Sequence, residues 1–413
     1  MPLVLVVNQH GDNIGDEAAT RAMLSGLSGL LGGARFTVLH QFREKASEIE
    51  TPQEVHWISL VLSPVEAIRF ALWAVLRALT LRGVAARVLG PTGRQIVDAY
   101  EQADLVVSAP GGPYFGDLYW WHEPAHWAYV WLARWFSVPC ALYAPSAGPF
   151  RIRPLNPFRR WTYRCFDVLA LREERSAAYL RELMGYDVRV EITADSALQE
   201  RVPPADREAW VLPEGGSLGD RFLIVVAAID HSYPGDPDPD ARRRNYDESI
   251  AEGIRHVVER MGADRTHVAF VPQLHSERHS DAAYLRSLGE RLDPAVSWEG
   301  GEDGDDSIVQ RSRFAAADLV IAGRYHPAVF AISAGVPVLC IPYEHKATGV
   351  MEAAGQHRFV VELDDVSPQR LVERLDELVD GREQVAAELR EVEPELRRRA
   401  RRTSELVAAL VSS

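Results

Sequence analysis

Short, continuous apolar runs alternate with longer amphipathic stretches along the first half of the chain. A parallel sheet covered by helices on both faces produces this pattern, because its strands are buried on both sides. The predicted strands are Leu3–Val7, Phe36–His40, Leu105–Ser108, Ala141–Ala144, Val168–Leu171 and Arg189–Thr193. Helices are predicted between them, among them Asp16–Leu31 and Pro64–Leu81. The alternation predicts an α/β fold with a doubly wound, mostly parallel sheet.

A second series of the same kind follows a segment near residues 203–220 that is rich in proline and glycine. Its predicted strands are Phe222–Ala228, His267–Pro272, Leu319–Ala322, Val336–Ile341 and Phe359–Leu363. The chain is predicted to be helical from Pro368 onward, with an interruption at Pro394. The polar stretch Asp230–Arg244 is predicted to be a mobile loop.

Two Rossmann-like domains follow from these two series. We predict an N-terminal domain at residues 1–210, a second domain at 211–385 and a helical extension at 386–413. The two domains are expected to face one another across a cleft, with the loop at 230–244 at its edge.

Composition narrows the class of protein. The chain has 413 residues, 47% of them apolar, which suits two domains with real cores and excludes wholesale disorder. A formal net charge of −14 lacks the basic footprint of a nucleic-acid-binding protein. Cys140, Cys165 and Cys340 show neither disulfide nor metal spacing, so a reduced, cytoplasmic protein is predicted. The run Leu3–Val7 is too short for a signal peptide and lacks a basic leader.

The most informative residues, Arg324 and His326, lie between the predicted strand Leu319–Ala322 and an Ala-rich helix. In open α/β sheets, ligands bind where strands end and helices begin, and helix N–H groups favour an anion there. Arginine matches phosphate or carboxylate with two parallel hydrogen bonds, and histidine can move a proton near neutral pH. This turn is predicted to bind a reactive anion.

A second turn of this kind follows the first strand, in the sequence Gly-Asp-Asn-Ile-Gly-Asp-Glu at 11–17. It contains Asn13, Gly15 and Asp16. A helix cap is the simpler interpretation, but a cap does not require both glycines, so a site role is predicted. The spacing differs from the dinucleotide-binding fingerprint.

Gly111, Gly112 and Asp117 follow the strand Leu105–Ser108. The glycines would allow close approach of the backbone to a ligand, and an ordinary turn between strand and helix is the alternative.

Three further charged residues follow predicted strands. Arg172 is either a site residue or a surface arginine paired with a neighbouring glutamate, and Asp195 is either a helix cap or a cleft residue. Lys346, one of only two lysines in the chain, is placed to bind an anion or to organise its helix.

The sequence His122-Glu123-Pro124-Ala125-His126 matches the zinc-protease pattern HExxH. That chemistry needs a third ligand, and residues 127–138 supply neither histidine nor a carboxylate, so no metal is predicted. The surrounding segment is rich in aromatic residues, which form either core or a platform for a sugar acceptor.

The helix Pro64–Leu81 is apolar on most sides. Glu66, Arg69 and Arg77 argue against a membrane-spanning segment. We interpret it as a buried domain helix, and the alternative is an interfacial helix that approaches a lipid-linked acceptor.

The order of these motifs from about Asn13 to Gly355 resembles the polysaccharide pyruvyl transferase family. The matching positions are Asn13-Ile14-Gly15-Asp16, Gly111-Gly112 with Asp117, Ala147-Gly148-Pro149, Arg172 with Ser176, Ala194-Asp195, Arg324-Tyr325-His326 and Tyr343 with Lys346. The resemblance implies a GT-B-like fold, phosphoenolpyruvate as donor, a pair of sugar hydroxyls as acceptor and no cofactor. It also implies that Arg324 and His326 are the donor-binding arginine and its histidine, and that Arg172 is a second arginine facing the donor.

From these residues we expect His326 to be the general acid and Asp16 the base, with Arg324, Arg172 and Lys346 holding the donor. The remaining substrate-binding candidates are Asn13, Gly15, Gly111, Gly112, Asp117 and Asp195. The expected acceptor is a sugar or glycoconjugate, lipid-linked ones included, which would bring the protein to the inner face of the membrane. A nucleotide-sugar glycosyltransferase of the same fold and a non-catalytic carbohydrate-binding relative are the alternatives.

Overall fold

The computed structural model describes residues 1–10, 13–40, 49, 51–60, 63–79, 85, 87–112, 115–202, 205, 207–208, 210–213, 215–276, 279–300 and 305–412. Four residues of the predicted motifs, Gly11, Asp12, Pro113 and Tyr114, therefore lie outside the described residues. The chain divides into two compact units. Unit 1 comprises 1–12, 16–199 and 399–413, and unit 2 comprises 13–15 and 200–398.

Unit 1 is built on a parallel sheet whose strand order is β3-β2-β1-β4-β5-β6-β7. The strands are β1 (Leu3–Gln9), β2 (Arg35–His40), β3 (Val55–Ser59), β4 (Leu105–Ser108), β5 (Cys140–Tyr143), β6 (Val168–Leu171) and β7 (Glu191–Ile192). The order reverses between β1 and β4, which is where open α/β sheets bind ligands. β1 is buried on both faces, since Leu5 and Val7 pack into one hydrophobic cluster and Val4 and Val6 into another.

Helices cover both faces of this sheet. They are α1 (Ile14–Leu30), α2 (Pro64–Ala78), α3 (Pro91–Gln102), α4 (Glu123–Phe136), α5 (Asn156–Tyr163) and α6 (Glu174–Met184). The interpretation of α2 as a buried helix is wrong: Trp73 is its one buried side chain. Its apolar composition therefore does not reflect burial in the described structure of unit 1.

Unit 2 repeats this architecture with the strand order β12-β9-β8-β13-β14, again parallel. Its strands are β8 (Phe222–Ala227), β9 (Thr266–Phe270), β12 (Ser297–Gly300), β13 (Leu319–Ala322) and β14 (Val338–Cys340), with β10 (His275–Ser276) and β11 (His279–Ser280) as a separate antiparallel pair. The order reverses between β8 and β13. The turn that carries Arg324 therefore lies at the point where a ligand is expected.

The helices of unit 2 pack around this smaller sheet. They are α7 (Pro239–Met261), α8 (Ala282–Gly289), α9 (Ser307–Ala316), α10 (Tyr325–Ala334), α11 (His345–Ala353), α12 (Pro368–Asp380) and α13 (Arg382–Ser412). Residues 399–412 of α13 belong to unit 1, so the C-terminal helix is shared between the units. The two units thus have boundaries other than the predicted 210 and 385.

The predicted α/β class with parallel sheets is confirmed, while several local predictions are wrong. Residues 359–363 form no strand; Val360 makes a single bridge with Cys340, and the apolar residues around it serve burial. Pro394 lies inside α13 and does not end it, because one missing N–H bends a long helix without breaking it. The stretch 230–244 is helical from Pro239 onward. The strands β3 and β12 were not predicted.

Candidate active site

Arg324 occupies the N-cap position of α10, two residues after the end of β13. Its Nη2 donates to Oδ1 of Asp281 over 2.6 Å, and both side chains are almost fully buried. The Nε group of Arg324 is buried and makes no hydrogen bond to any of the described residues. Burial lowers the pKa of this guanidinium and the Asp281 carboxylate raises it, with a net rise, so the group stays charged. A buried charged donor without an acceptor is a position where a ligand oxygen would be stabilised.

Asp281, which was not predicted from the sequence, fixes this arginine. Its Oδ2 accepts hydrogen bonds from the backbone N–H groups of Gln273 and Leu274, each at 3.2 Å. The carboxylate is therefore held by the loop after β9 while it holds Arg324, 43 residues further along the chain. No local sequence pattern links the two positions.

His326 is buried in the first turn of α10 and packs directly against Gly15. A Cβ atom at Gly15 would lie 1.8 Å from both Cγ and Nδ1 of His326, so no side chain fits there without displacing the imidazole. The segment 13–15 is held in unit 2 by a hydrogen bond from Ile14 N to Gln273 O at 3.2 Å, and Asn13 Oδ1 accepts from Gly15 N at 2.8 Å. The motif thus has a steric reason for its glycine that capping alone does not supply.

The amino end of α10 carries no side-chain cap. The first N–H groups of a helix lack intrahelical acceptors and carry partial positive charge, so this end can bind an anion. Arg324 and His326 occupy the cap and the second helical position, on either side of that group of donors.

Lys346 lies in the first turn of α11, after the neighbouring strand β14. Its Nζ is 2.8 Å from Oε2 of Glu344 and 5.9 Å from the centre of the Tyr325 ring. The lysine is thus beside the Arg324 turn, as predicted, and it already has a carboxylate partner. Burial and the Glu344 carboxylate raise the pKa of Tyr343, so the phenol is neutral at physiological pH.

His231 follows β8 on the other side of β13. Its ring centre lies 5.8 Å from that of Tyr343 and 4.8 Å from that of Tyr233. Burial lowers its pKa, Glu344 raises it and the charge of Arg324 lowers it, with a net downward shift. We call the group formed by Arg324, His326, Lys346, His231 and Asp281 the Arg324 site.

Unit 1 holds a second buried arginine at the carboxyl end of a parallel strand, after β6. Nη1 of Arg172 donates to Oδ2 of Asp195 at 2.6 Å and its Nε donates to Ser146 Oγ at 2.9 Å. The Glu173 carboxylate lies 3.5 Å from the same Nε. The alternative of a surface arginine is wrong, since Arg172 is buried and two residues predicted separately, Arg172 and Asp195, form one ion pair.

Other predicted site residues of unit 1 follow the carboxyl ends of β1 and β4. Asp16 is buried in the first turn of α1. Gly111 has a φ of 141°, which strongly favours glycine, and its carbonyl accepts from Ser146 N at 3.4 Å. A Cβ at Gly112 would meet nothing within 4 Å. Of these two neighbouring glycines, Gly111 is therefore the one whose backbone conformation favours glycine.

The Asp117 carboxylate contacts one arginine side chain and two backbone N–H groups. Its Oδ1 lies 2.9 Å from Arg159 Nη1, and its carboxylate accepts from the backbone N–H groups of Arg151 and Ile152. Arg159 is fully buried and also donates to Glu123, at 2.6 Å from Nη2 to Oε2. Burial raises the pKa of Glu123, and the arginine opposes that rise. The glutamate of the HExxH pattern is therefore part of a buried ion pair.

The histidines of that pattern belong to a cluster that was not predicted from the sequence. His126 Nδ1 lies 3.0 Å from Asn8 Oδ1, and Asn8 Nδ2 donates to Ser108 Oγ at 3.1 Å. Because the amide oxygen can only accept, Nδ1 of His126 carries the proton. The rings of His126 and His10 are 5.3 Å apart. In the part of the chain that the structure describes, no group of three or more His, Cys, Asp or Glu residues is arranged to hold a metal ion.

Some aromatic residues around the HExxH pattern belong to the core, and others are exposed as a platform for a sugar would require. Phe115, Trp127 and Tyr129 are buried in the core, whereas Trp120 and Trp121 expose about half of their surface, 48% and 56%. The two exposed rings meet edge to face at 6.2 Å. Exposed rings of this kind can stack on an apolar sugar face.

The chain matches one family of known proteins over most of its length. The sequence model of the polysaccharide pyruvyl transferase family matches residues 13–345. The chain belongs to this family of transferases. It is also 22% identical over 303 residues to the amylovoran biosynthesis protein AmsJ of Erwinia amylovora, covering 73% of this chain and 72% of that protein.

Solved structures with a similar architecture include one protein in complex with UDP and one bound to UDP-GlcNAc. The S. aureus MnaA–UDP co-structure is 14% identical with a TM-score of 0.58, covering 95% of this chain and 91% of that chain. UDP-GlcNAc 2-epimerase from Neisseria meningitidis bound to UDP-GlcNAc is 13% identical with a TM-score of 0.56, covering 100% of both chains. At this identity the similarity concerns the fold alone. The fold is of the GT-B type, as the sequence predicted.

Proposed function

We propose that this protein transfers the pyruvyl group of phosphoenolpyruvate to hydroxyls of a sugar or glycoconjugate and releases phosphate. Membership of the family supports the reaction class. The observation that carries the proposal is the buried, incompletely bonded Arg324 at the uncapped amino end of α10, with His326 two residues beyond it in the first turn. Such an arrangement can hold a small anion and deliver a proton to it.

Phosphoenolpyruvate carries its charge on a phosphate and a carboxylate. The Nε group of Arg324 and a backbone N–H group in the first turn of α10 are proposed to bind either the phosphate or the carboxylate. Lys346, on a flexible side chain in the neighbouring turn, is proposed to supply a second positive charge. Both cations already have carboxylate partners, Asp281 and Glu344, which orient them in advance and reduce their net charge. Arg172 is proposed as the second donor arginine, held in place by Asp195.

The chemistry needs one proton donor and one proton acceptor. His326 protonates the methylene carbon of the donor, which becomes a methyl group and leaves a cationic centre at the neighbouring carbon. An acceptor hydroxyl adds to that centre and gives up its proton to Asp16. A second hydroxyl then displaces phosphate through a further bond to the same carbon, its proton leaves with the phosphate, and a cyclic pyruvate ketal closes. No metal ion or cofactor is part of this proposal.

The acceptor side is assigned to unit 1. The exposed rings of Trp120 and Trp121 are proposed to stack on a sugar, with Gly111, Gly112 and Asp117 on the adjacent turn after β4. Asn13 and Gly15 are proposed to act through His326, against which Gly15 packs. The proposed location is the cytoplasm, at the inner face of the membrane where an acceptor is lipid-linked.

Mass spectrometry of candidate glycans after incubation with phosphoenolpyruvate tests the donor and the product together. A gain of one pyruvate minus one water, with phosphate released, is expected. His326→Ala should reduce turnover by about 10²–10⁴-fold. His357→Ala is the matched control, because His357 is an exposed histidine of the same unit and should retain full turnover. Near-normal turnover of a folded His326→Ala protein would refute the catalytic role.

Thermal shift separates this reaction from nucleotide-sugar transfer by the same fold. A ligand that binds only the native state raises the melting temperature in proportion to the logarithm of its concentration above Kd. Phosphoenolpyruvate is expected to raise it and UDP-sugars are not. Stabilisation by UDP-sugars alone would favour a glycosyltransferase instead.

A further inference from the structure

The outward face of α2 is a continuous apolar stripe. Its members are Val65, Ile68, Leu72, Val75 and Leu79, which we call the α2 stripe. They expose between 46% and 70% of their surface, and their spacing of three and four residues places them on one side of the helix. Single exposed aliphatic residues are ordinary, whereas five in one row mark a binding surface.

The charged residues of α2 are engaged with the protein, not with the outward face. Glu66 Oε1 accepts from Thr92 N at 3.3 Å and also completes the capping box with Ser63. Arg69 donates to the carbonyls of Val88 and Leu89 at 2.6 and 3.2 Å. The guanidinium of Arg77 lies 4.6 Å from the centre of the Phe136 ring. The helix thus keeps its charges toward unit 1 and presents its aliphatic side chains outward, the reverse of an ordinary surface helix.

Two features beside the stripe fit a lipid surface. Trp135, at the end of α4, is 39% exposed and its ring lies 5.6 Å from that of Trp73 on α2. Partly exposed tryptophan is favoured at the boundary between headgroups and acyl chains. Arg87 and Arg94, in the chain that follows α2, are exposed. Their positive charge complements anionic lipid headgroups.

A second copy of the chain is the competing occupant, and the size of the surface argues against it. Five partly exposed aliphatic side chains on about four turns of helix offer a few hundred Å², whereas a stable interface buries about 800 Å² from each partner. Shallow insertion of one helix face into a bilayer needs no larger area. Among the described residues, no helix has the length and apolar character needed to cross a bilayer.

We propose that the α2 stripe docks the protein on an anionic lipid bilayer, with α2 lying in the plane of the headgroups. Docking would bring the protein to a membrane that holds a lipid-linked acceptor, and in this respect the inference rests on the proposed function. Docking itself does not depend on the identity of the donor, so it can be tested without the reaction.

Co-sedimentation of the full chain with vesicles tests the proposal. Vesicles of equimolar phosphatidylcholine and phosphatidylglycerol should carry down the wild type, and the double variant Ile68→Glu/Val75→Glu should partition at least about tenfold less. Glutamate is a good helix former, so α2 should persist in that variant. The matched control is Val211→Glu/Val309→Glu, which adds the same charge at two exposed valines elsewhere and should bind like wild type.

Each other result overturns the proposal. Failure of the wild type to sediment with these vesicles, or equal loss of binding in both double variants, would rule out the α2 stripe as a lipid-docking surface. Light scattering that shows a wild-type dimer and a monomeric Ile68→Glu/Val75→Glu variant, without vesicle binding, would assign the surface to self-association. Turnover of a water-soluble acceptor should stay unchanged in both variants, which separates failed docking from a failure of the proposed reaction.

Discussion

Arg172 of unit 1 and Arg324 of unit 2 have similar local settings, because each follows a parallel strand and precedes a helix. Their places in the sheets differ, since β13 borders the reversal of strand order in unit 2 and β6 lies two strands beyond the reversal in unit 1. Both are buried and both bind an aspartate at 2.6 Å. They differ in what else surrounds the guanidinium. Arg172 also contacts the Ser146 hydroxyl and lies 3.5 Å from a second carboxylate, that of Glu173. Arg324 has Asp281 and retains a buried Nε without a hydrogen bond to the described residues.

The different surroundings of the two guanidinium groups indicate different roles for the two arginines, one in stability and one in ligand binding. The groups around Arg172 form a network that continues through Ser176, which bonds Glu173 and accepts from Ala147 N at 2.8 Å. An arginine bound on several sides positions the chain and is costly to remove. The partners of Asp281, by contrast, include two backbone N–H groups that remain when Arg324 is removed. Arg324 therefore has more capacity for a ligand and a smaller role in stability.

The largest predicted effect tests the difference between Arg172 and Arg324 directly, through the stability of two alanine variants. Arg172→Ala should lower the free energy of unfolding by about 3–5 kcal/mol, because it leaves the Asp195 carboxylate buried without its partner. Arg324→Ala should lower it by about 1–3 kcal/mol, since Asp281 keeps its backbone donors, while binding of phosphoenolpyruvate is lost. Denaturant unfolding and titration calorimetry measure the two quantities.

Arg181→Ala is the control for both variants. Arg181 is an exposed arginine of α6 whose carboxylate partners lie 3.7 Å away, so its removal should cost less than about 1 kcal/mol. If Arg172→Ala abolished donor binding at unchanged stability, the two arginines would have the same role and the distinction would fail.

The sequence predicted much of the Arg324 site and little of what supports it. Arg324, His326 and Lys346 were predicted because each follows a buried strand, and the ends of neighbouring parallel strands must meet at one edge of the sheet. Asp281 was missed because it lies after the irregular loop that follows β9, and its partner is 43 residues away. Contacts between loops of different strands have no periodicity in the sequence.

The exposure of α2 could not be predicted for a related reason. Its apolar composition is compatible with burial in a core or with a surface that meets another apolar phase. Which of the two holds depends on whether other elements pack over the helix, and Trp73 alone among its residues is buried, with Phe70, Ala74 and Leu76 partly buried. Pattern alone therefore predicted the helix and mispredicted its surroundings.

The next largest predicted effect concerns the position of His326 in the Arg324 site. Gly15→Ala should reduce turnover by about tenfold or more, because its Cβ would lie 1.8 Å from the His326 ring and force the imidazole out of position. Gly29→Ala is the matched control in the same helix α1, with nothing within 4 Å of the added methyl group. It should retain turnover and gain up to about 1 kcal/mol of stability from helix propensity.

Both variants are compared by steady-state kinetics with phosphoenolpyruvate and by thermal unfolding. Full turnover of Gly15→Ala would mean that the ring position of His326 is unimportant for the reaction, and the proposed proton transfer would have to be assigned elsewhere.

The smallest predicted effect concerns acid stability, which should differ between the units. Burial, together with the neighbouring His122, lowers the pKa of His10 to about 3, and burial lowers that of His126 well below its usual value. In the unfolded chain these histidines bind protons near pH 6.5, whereas in unit 1 they stay neutral. The unfolded state therefore binds more protons, and stability is lost as the pH falls below about 6.5.

Between pH 6.5 and 5 most carboxylates with ordinary pKa values remain ionised, so we expect the histidines to dominate this slope. His126→Gln should reduce the loss by up to about 1.4 kcal/mol per pH unit, because one proton fewer is taken up on unfolding. His231→Gln in unit 2 should change it less, since this less buried histidine is shifted downward by burial and by Arg324 against an opposing Glu344. Urea unfolding at several pH values gives both slopes, and an unchanged slope in His126→Gln would show that His126 is not held neutral in unit 1.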